Sequence, residues 1–312
     1  MMIARSAVAP IATESSLWDR LTAMPVPVPE HETRTLEQLR AQYEVEKELA
    51  RRLLDAPAEL RQELYSEVYE ELLRRVPHLP QLTQKQDPES EAGLVRLQTQ
   101  LLAPFLEGAV TFLEVGSGSC ALALSLADRL HRVLVVEASE TITAELNTPE
   151  NFELVIASSP PYDLPPSSVD LAFSCHFIEH LHPDDALSHA QEMFRLVKPG
   201  GGYVCVTPNR LHGPHDVAKY FSDRTEGLHL REYTHQELGR LLRRAGFSQI
   251  KVLQGIDRAP DIRPPLSTSI QEICLGGLPL ALRRRALTFL AHRSSHPPPF
   301  RPLEQVMLLA SR

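Results

Sequence analysis

The sequence has no uninterrupted apolar run near the roughly 20 residues that a membrane-crossing helix requires, so no membrane span is expected. Its first 29 residues lack the basic start, apolar centre and small-residue cleavage site of a secretory leader, and none is expected. Cysteine is scarce. Cys120, Cys175, Cys205 and Cys274 lie far apart, each inside an apolar stretch. That placement suits buried thiols in a reducing cytoplasm better than disulfides or a zinc cluster. Lysine is scarce beside arginine, with 5 Lys against 27 Arg. The net charge of −8 is unevenly spread, because residues 240–312 carry 12 Lys+Arg against 4 Asp+Glu. That basic stretch has none of the interleaved aromatics of a strand-binding surface, and the arginine preference runs along the whole chain. Nucleic-acid binding is therefore not expected.

What is present is an ordinary globular composition, 43% hydrophobic and 23% charged over 312 residues. Residues 1–32 read as an extended tail, since Pro25, Pro27 and Pro29 alternate with valines and cannot join a helix. Residues 33–107 read as an acidic preface of three helices. Thr35 and Gln38 form a capping-box pattern ahead of Leu36, Leu39, Tyr43, Leu49 and Leu53. Asp55 with Pro57 in the first turn opens a second helix that stops at Pro77, and Asp87-Pro88 opens a third.

From residue 108 the pattern changes to short apolar runs separated by helical stretches. The runs are Val110–Val115, Arg132–Glu137, Phe152–Ala157, Val169–Ser174, Tyr203–Thr207 and Gln249–Leu253. Strands buried on both faces of a parallel sheet have this character, so residues 108–312 are expected to form a doubly wound α/β domain. Lys198–Gly202 reads as a turn, and Thr234 as the cap of a helix from Gln236 that Gly246 stops. Residues 256–302 form an insertion rich in Pro and Arg, with one helical piece around Leu278–His292, before a last strand in Glu304–Ala310.

The chemistry-bearing feature is Leu113-Glu114-Val115-Gly116-Ser117-Gly118-Ser119-Cys120, a strand entering a glycine turn and then a helix. Glycines there let backbone approach a nucleoside, and a helix N-terminus offers unpaired N–H groups. The next strand ends on Glu137, placed to accept hydrogen bonds from both hydroxyls of a ribose. Gly116, Gly118 and Ala121 also satisfy the dinucleotide pattern G-x-G-x-x-A. A dinucleotide site wants an apolar residue where Glu114 stands, because a carboxylate beside the loop repels a pyrophosphate. The same carboxylate suits a ligand bearing an ammonium and a sulfonium. That ligand is S-adenosylmethionine, with NAD as the competing cofactor.

These motifs, followed by Ser168–Ser174, Glu179-His180-Leu181, Leu196–Gly201 and Ala245-Gly246-Phe247, stand in the order found in class I S-adenosylmethionine-dependent methyltransferases. Residues 110–255 with the last strand resemble that family, and most closely its bacterial quinone-biosynthesis-type, small-molecule branch. The resemblance implies a Rossmann-like methyltransferase fold, a mostly parallel seven-stranded sheet with an antiparallel last strand. It also implies a lid formed by the helical preface. Glu114, Gly116 and Gly118 would hold the methionine portion, Glu137 the ribose, and Ala138 would lie against the adenine. Two positions depart from the family: Cys120 replaces a frequent third glycine, and Ser158-Ser159 replace a frequent adenine-binding Asp. Ser117, Ser158, Ser159 and Cys175 complete the set of expected donor contacts.

Eight of the 13 histidines fall between His176 and His235. His176, His180 and His182 with Asp184 could form a metal set, but His182-Pro183-Asp184 reads better as a helix start, and no metal is expected. His176, His212 and His215 stand after the fourth and fifth strands, where an acceptor would bind, and are the candidate bases for removing a hydroxyl proton. His229 reads as structural. The expected activity is methyl transfer to a small-molecule acceptor, at an oxygen of a natural product, saccharide or quinone-like compound. The alternatives are an NAD-dependent Rossmann oxidoreductase and a catalytically inactive methyltransferase-like partner protein. A homodimer contact through the Arg283-Arg284-Arg285 helix is a further reading of the basic segment.

Overall fold

Two reciprocal caps fix helix starts where the sequence places them. Thr35 Oγ1 accepts the Gln38 amide at 3.2 Å while Gln38 returns a side-chain bond to the Thr35 N–H, opening α1 (Leu36–Asp55). Thr234 and Glu237 do the same for the helix at His235–Ala245, which ends on Gly246 at φ 121°. The computed structural model describes residues 28–29, 32–79, 88–138, 147–254, 261–263 and 305–312, with isolated positions between 264 and 304. The Pro25 and Pro27 part of the tail, Cys274, the Leu278–His292 helix with its three arginines, and nearly all of the 256–302 insertion lie outside the described residues.

After α1 come α2 (Ala58–Arg75) and α3 (Pro88–Leu106). The α2 start differs from expectation: Asp55 is the last residue of α1, and Pro57 is itself the N-cap, without a side-chain cap bond. Ala56, forced to extended geometry by the following proline, breaks the chain between the two helices.

The domain then runs β1 (Thr111–Val115), α4 (Ala121–Ala127), β2 (Arg132–Glu137), β3 (Phe152–Ile156), β4 (Val169–Cys175) and α5 (Pro183–Leu196). It continues through β5 (Val197–Pro208), α6 (His235–Ala245), β6 (Gln249–Gln254), β7 (Asp261–Arg263) and β8 (Gln305–Ser311). One sheet results, in the order β3-β2-β1-β4-β5-β8-β6-β7. β8 runs antiparallel between β5 and β6, as the last strand should. The expected doubly wound α/β sheet is present. β7 adds an eighth, antiparallel edge strand beyond the seven expected. Three residues inside a proline-rich segment are too few to give a strand periodicity.

Lys198–Gly202 is a second difference. It is not a turn before the strand but the irregular start of β5: pairing with β4 jumps from Val169↔Val197 to Leu171↔Gly202. Glycine is required there, since a Cβ on Gly201 would meet the Asp170 carbonyl oxygen at 2.7 Å. Asp170 pins the neighbouring edge, accepting the Val110 and Thr111 amides at 3.1 and 2.8 Å and the Lys198 ammonium at 2.8 Å.

The sheet has a helical layer on each side. Leu49, Leu53, Val68 and Leu72 of α1 and α2 share one buried cluster with Met193 and Leu196 of α5, Leu238 and Leu242 of α6, and Leu113, Ala172 and Tyr203 of the sheet. Leu101 and Leu102 of α3 pack instead with Leu122 and Leu126 of α4 on the other face, against Phe112, Phe173 and Val204. Chain order reverses between β1 and β4. In open α/β sheets the crevice at such a reversal, beyond the carboxyl ends of the strands, is where ligands sit.

Candidate functional site

The reversal brings three strand ends together. β1 lies between β2 and β4, with Val115 opposite Val136 and Ser174. Beyond Val115 the chain turns at Gly116 (φ 69°), whose N–H donates to the Val136 carbonyl at 2.9 Å. A Cβ at Gly116 would lie 2.4 Å from the Phe177 ring, so the loop passes directly beneath that ring. Gly118 (φ 61°) has open space where its Cβ would be. Cys120 takes the left-handed conformation at φ 59° and stands at the N-cap of α4, its thiol buried and 3.2 Å from Ser117 Oγ. The departure at Cys120 thus keeps the glycine-like backbone and fills the space below the loop.

Glu114 is buried and accepts only the Ala123 amide, at 3.1 Å, among the described hydrogen bonds. Burial, assisted by the charge of Glu137, pushes its carboxyl up to about 8 against that single amide bond. Glu137 bridges the turn: its two oxygens accept the Gly118 and Ala138 amides, each at 2.9 Å. Glu114, Gly116, Ser117, Gly118, Glu137 and Ala138 therefore share one loop-and-strand-end unit. Ser158 does not point its hydroxyl there, since Oγ donates to the Gln62 carbonyl of α2 at 2.8 Å. Ser159 is partly buried beside it. Cys175 packs against the α3–α4 layer, and burial raises its thiol far above the usual range.

A second concavity of about 190 Å³ lies between α1, α2 and the segments following β4 and β5. Its wall includes Glu46, Tyr69, His180, His215, Asp216 and His229. Burial raises the Tyr69 phenol, and so do the charges of Glu179, Glu46 and Glu137.

The three candidate bases have different surroundings. His215 lines the cavity, but its Nε2 is engaged at 3.1 Å with the Asn209 carbonyl, and burial lowers it to about 4. His212 stacks on His215 with ring centres 5.7 Å apart. His176, at φ 53°, is exposed, with Nδ1 3.2 Å from Glu179 Oε1. Asp216 caps the short 3₁₀ helix Val217–Tyr220 through the Ala218 amide, and its second oxygen accepts the Gly227 amide at 2.9 Å. Burial raises its carboxyl to about 7.

His229 has more part in the cavity than its sequence context suggested. Its Nδ1 lies 2.9 Å from Glu232 Oε1. Burial opposes its charge, but the Glu232 bond and the fields of Glu179, Glu232 and Asp216 carry it to about 9. Glu232 is three residues downstream, a spacing that in a loop carries no periodic signal; the contact is visible only in three dimensions. Phe177 has no sequence signal for a similar reason, because an isolated aromatic in a turn reads as core. His182 Nδ1 accepts the Asp184 amide at 3.2 Å as the N-cap of α5, and among the described residues the ligand atoms that come together are those of Glu179, His180 and His229.

Residues 113–205 match the family model described as a methyltransferase domain. That stretch is similar to a methyltransferase domain. The domain holds β1 to β5, the glycine turn and Glu137. A Mycolicibacterium smegmatis protein described as a probable S-adenosylmethionine-dependent methyltransferase is 31% identical over 136 residues, covering 43% of this chain and 51% of the relative. The chain thus spans about half the length of the curated relative it matches. Among solved structures, a SAM-dependent methyltransferase from Archaeoglobus fulgidus aligns at TM-score 0.46 and 16% identity, over 70% of this chain and 94% of the other. One from Mesorhizobium loti aligns at 0.44 and 16%, over 69% and 100%.

Proposed function

We propose that the protein transfers the methyl group of S-adenosylmethionine to a small polar acceptor, at an oxygen. The observation that carries this reading is Glu114, a buried carboxylate beside the glycine turn that accepts the Ala123 amide on one oxygen. An anionic pyrophosphate at that position would be repelled, whereas a cationic ammonium or sulfonium would restore the charge that burial suppresses. The residues present fit the donor. Glu114 would hold its methionine end, the open face of Gly118 its approach, and Glu137 its ribose.

Bound S-adenosylmethionine supplies an activated methyl group, so the protein's task is alignment and exclusion of water. Phe177 covers the turn, and Tyr69 lines the polar cavity. On this reading the cavity would hold a small acceptor. Its carboxyls and imidazoles favour hydroxyl groups over extended apolar ones. The quinone-like acceptor therefore fits less well than a polyhydroxylated one.

The competing NAD reading and the inactive-partner reading separate in two measurements. Calorimetric titration should show S-adenosylmethionine and S-adenosylhomocysteine binding, with NAD and NADP inert, and Glu137→Ala should weaken donor affinity about 10–100-fold. NAD binding, or unchanged donor affinity in Glu137→Ala, overturns the site. Production of S-adenosylhomocysteine with hydroxylated acceptors then tests turnover.

A further inference from the structure

His180 and His229 at the wall of the cavity, with buried Glu179, each direct one ligand atom to a common place. Glu179, His180 and His229 bring a carboxylate oxygen and two imidazole nitrogens within 4.8 Å of one another. None of the three is free to turn away. His180 Nδ1 is held by the Leu228 carbonyl at 2.9 Å, which leaves Nε2 to face inward. His229 Nδ1 is held by Glu232 Oε1 at 2.9 Å, which again leaves Nε2, from which an arriving ion displaces the proton to solvent. Glu179 Oε2 accepts the Thr207 hydroxyl at 2.8 Å, while its Oε1, fully buried, has no hydrogen bond and only the ion-pair contact to exposed His176.

This pattern is the one that metal-binding residues carry. A ligating histidine gives its second N–H to a carbonyl or carboxylate, which fixes tautomer and ring orientation before the ion arrives. Here one histidine has each kind of partner, and the carboxylate is anchored through its other oxygen. We propose that Glu179, His180 and His229 bind a divalent transition-metal ion of the zinc type. Two imidazoles and one carboxylate suit zinc, cobalt or iron, whereas magnesium and calcium prefer all-oxygen shells. Atoms at the observed spacing reach ordinary metal–ligand distances of roughly 2.0–2.2 Å through shifts of about 0.7 Å each. Three protein ligands leave a coordination position open. Because His180 and His229 line the cavity, that position faces whatever oxygen ligand occupies it.

The site is independent of methyl transfer, so it is tested with the metal alone. Tag-free full-length protein is stripped with a chelator and titrated calorimetrically with Zn²⁺, with Mg²⁺ in a parallel arm and Co²⁺ followed by visible absorption. One Zn²⁺ per chain is expected, together with a Co²⁺ ligand-field spectrum and no comparable Mg²⁺ uptake. His180→Ala and His229→Ala should weaken Zn²⁺ at least 100-fold. Glu232→Gln, which keeps all three ligands and removes only the orienting charge, should weaken it about 10–100-fold. His131→Ala, on an exposed residue outside the cluster, should change nothing. If circular dichroism shows His229→Ala unfolded, the Glu232→Gln and Co²⁺ measurements decide. Absence of saturable Zn²⁺ uptake, uptake unchanged in His180→Ala and Glu232→Gln, or Mg²⁺ binding as tight as Zn²⁺ would overturn the proposal.

Discussion

At the scale of single residues, two positions beside the turn do opposite kinds of work. Glu114 is a charge kept out of water, and its carboxyl sits at about 8 because burial outweighs one amide bond. Below that pH the ligand-free protein holds it protonated, whereas a cationic donor favours the carboxylate. Binding therefore releases a proton, and affinity rises with pH up to about 8. The expected slope is up to about tenfold per pH unit. Taking the difference between wild type and Glu114→Gln cancels the titration of the ligand itself. The variant should bind about 10–100-fold more weakly at pH 8, and the gap should narrow toward pH 6. A gap independent of pH would remove Glu114 from the donor site. Gly116 is constrained by shape: φ is 69° and the missing Cβ space is occupied by Phe177. Gly116→Ala should cost about 3 kcal/mol from left-handed strain and overpacking, read as a lower thermal midpoint.

At the scale of elements, α2 is fastened to the start of α5 by a compact polar clamp. Arg61, itself buried, gives a paired contact to Asp185, with Nε–Oδ2 at 2.8 Å and Nη2–Oδ1 at 2.7 Å. Tyr65 donates to the same carboxylate at 2.8 Å and accepts the His182 amide at 2.7 Å. Arg61→Ala leaves the partly buried acid and the phenol without their cation. The expected loss is about 3 kcal/mol, a fall of roughly 6–12 °C in the thermal midpoint, measured by calorimetry. Nothing in the sequence marks this clamp, because its partners are 124 residues apart. What could be read was local. The Thr35 and Thr234 caps, the apolar strands and the Gly116–Glu137 relation all depend on neighbours within about 20 positions. The Lys198–Gly202 start of β5 was misread as a turn because its glycines serve a pairing irregularity against β4. The Ser158 hydroxyl donates to the Gln62 carbonyl of α2, a partner that only the docked helix reveals.

At the scale of the whole molecule, the question is how α1 and the segment after β5 hold a polar cavity between them. Leu39 and Tyr43 of α1 pack on Val217, Ala218 and Tyr220, forming an apolar seal at one end. The deeper seam is acidic. Glu46 and Asp216 approach Gly227 from two sides: a Cβ there would meet Glu46 Oε2 at 2.5 Å and Asp216 Oδ2 at 2.8 Å. The wall contains no residue from the basic 240–312 stretch among those described; Arg34 and Lys219 are the basic side chains in it. Burial raises both carboxyls, Asp216 to about 7, with His229 pulling it down and Glu46 and Glu232 pushing it up. The sign of the consequence is fixed. A carboxyl whose folded value is raised stabilises the fold fully below its unfolded value near 4, and that contribution is lost as pH rises through about 7. Asp216→Asn cannot ionise, yet its amide oxygen can still accept one of the two backbone bonds. The variant should melt below wild type at pH 5, where wild type keeps both bonds without a charge. Its deficit should shrink steadily toward pH 8 as wild type is forced to bury an ionised pair. Melting curves at half-unit intervals across that range decide the matter, because a constant deficit would mean that Asp216 is ionised throughout and that the seam is held by hydrogen bonds alone.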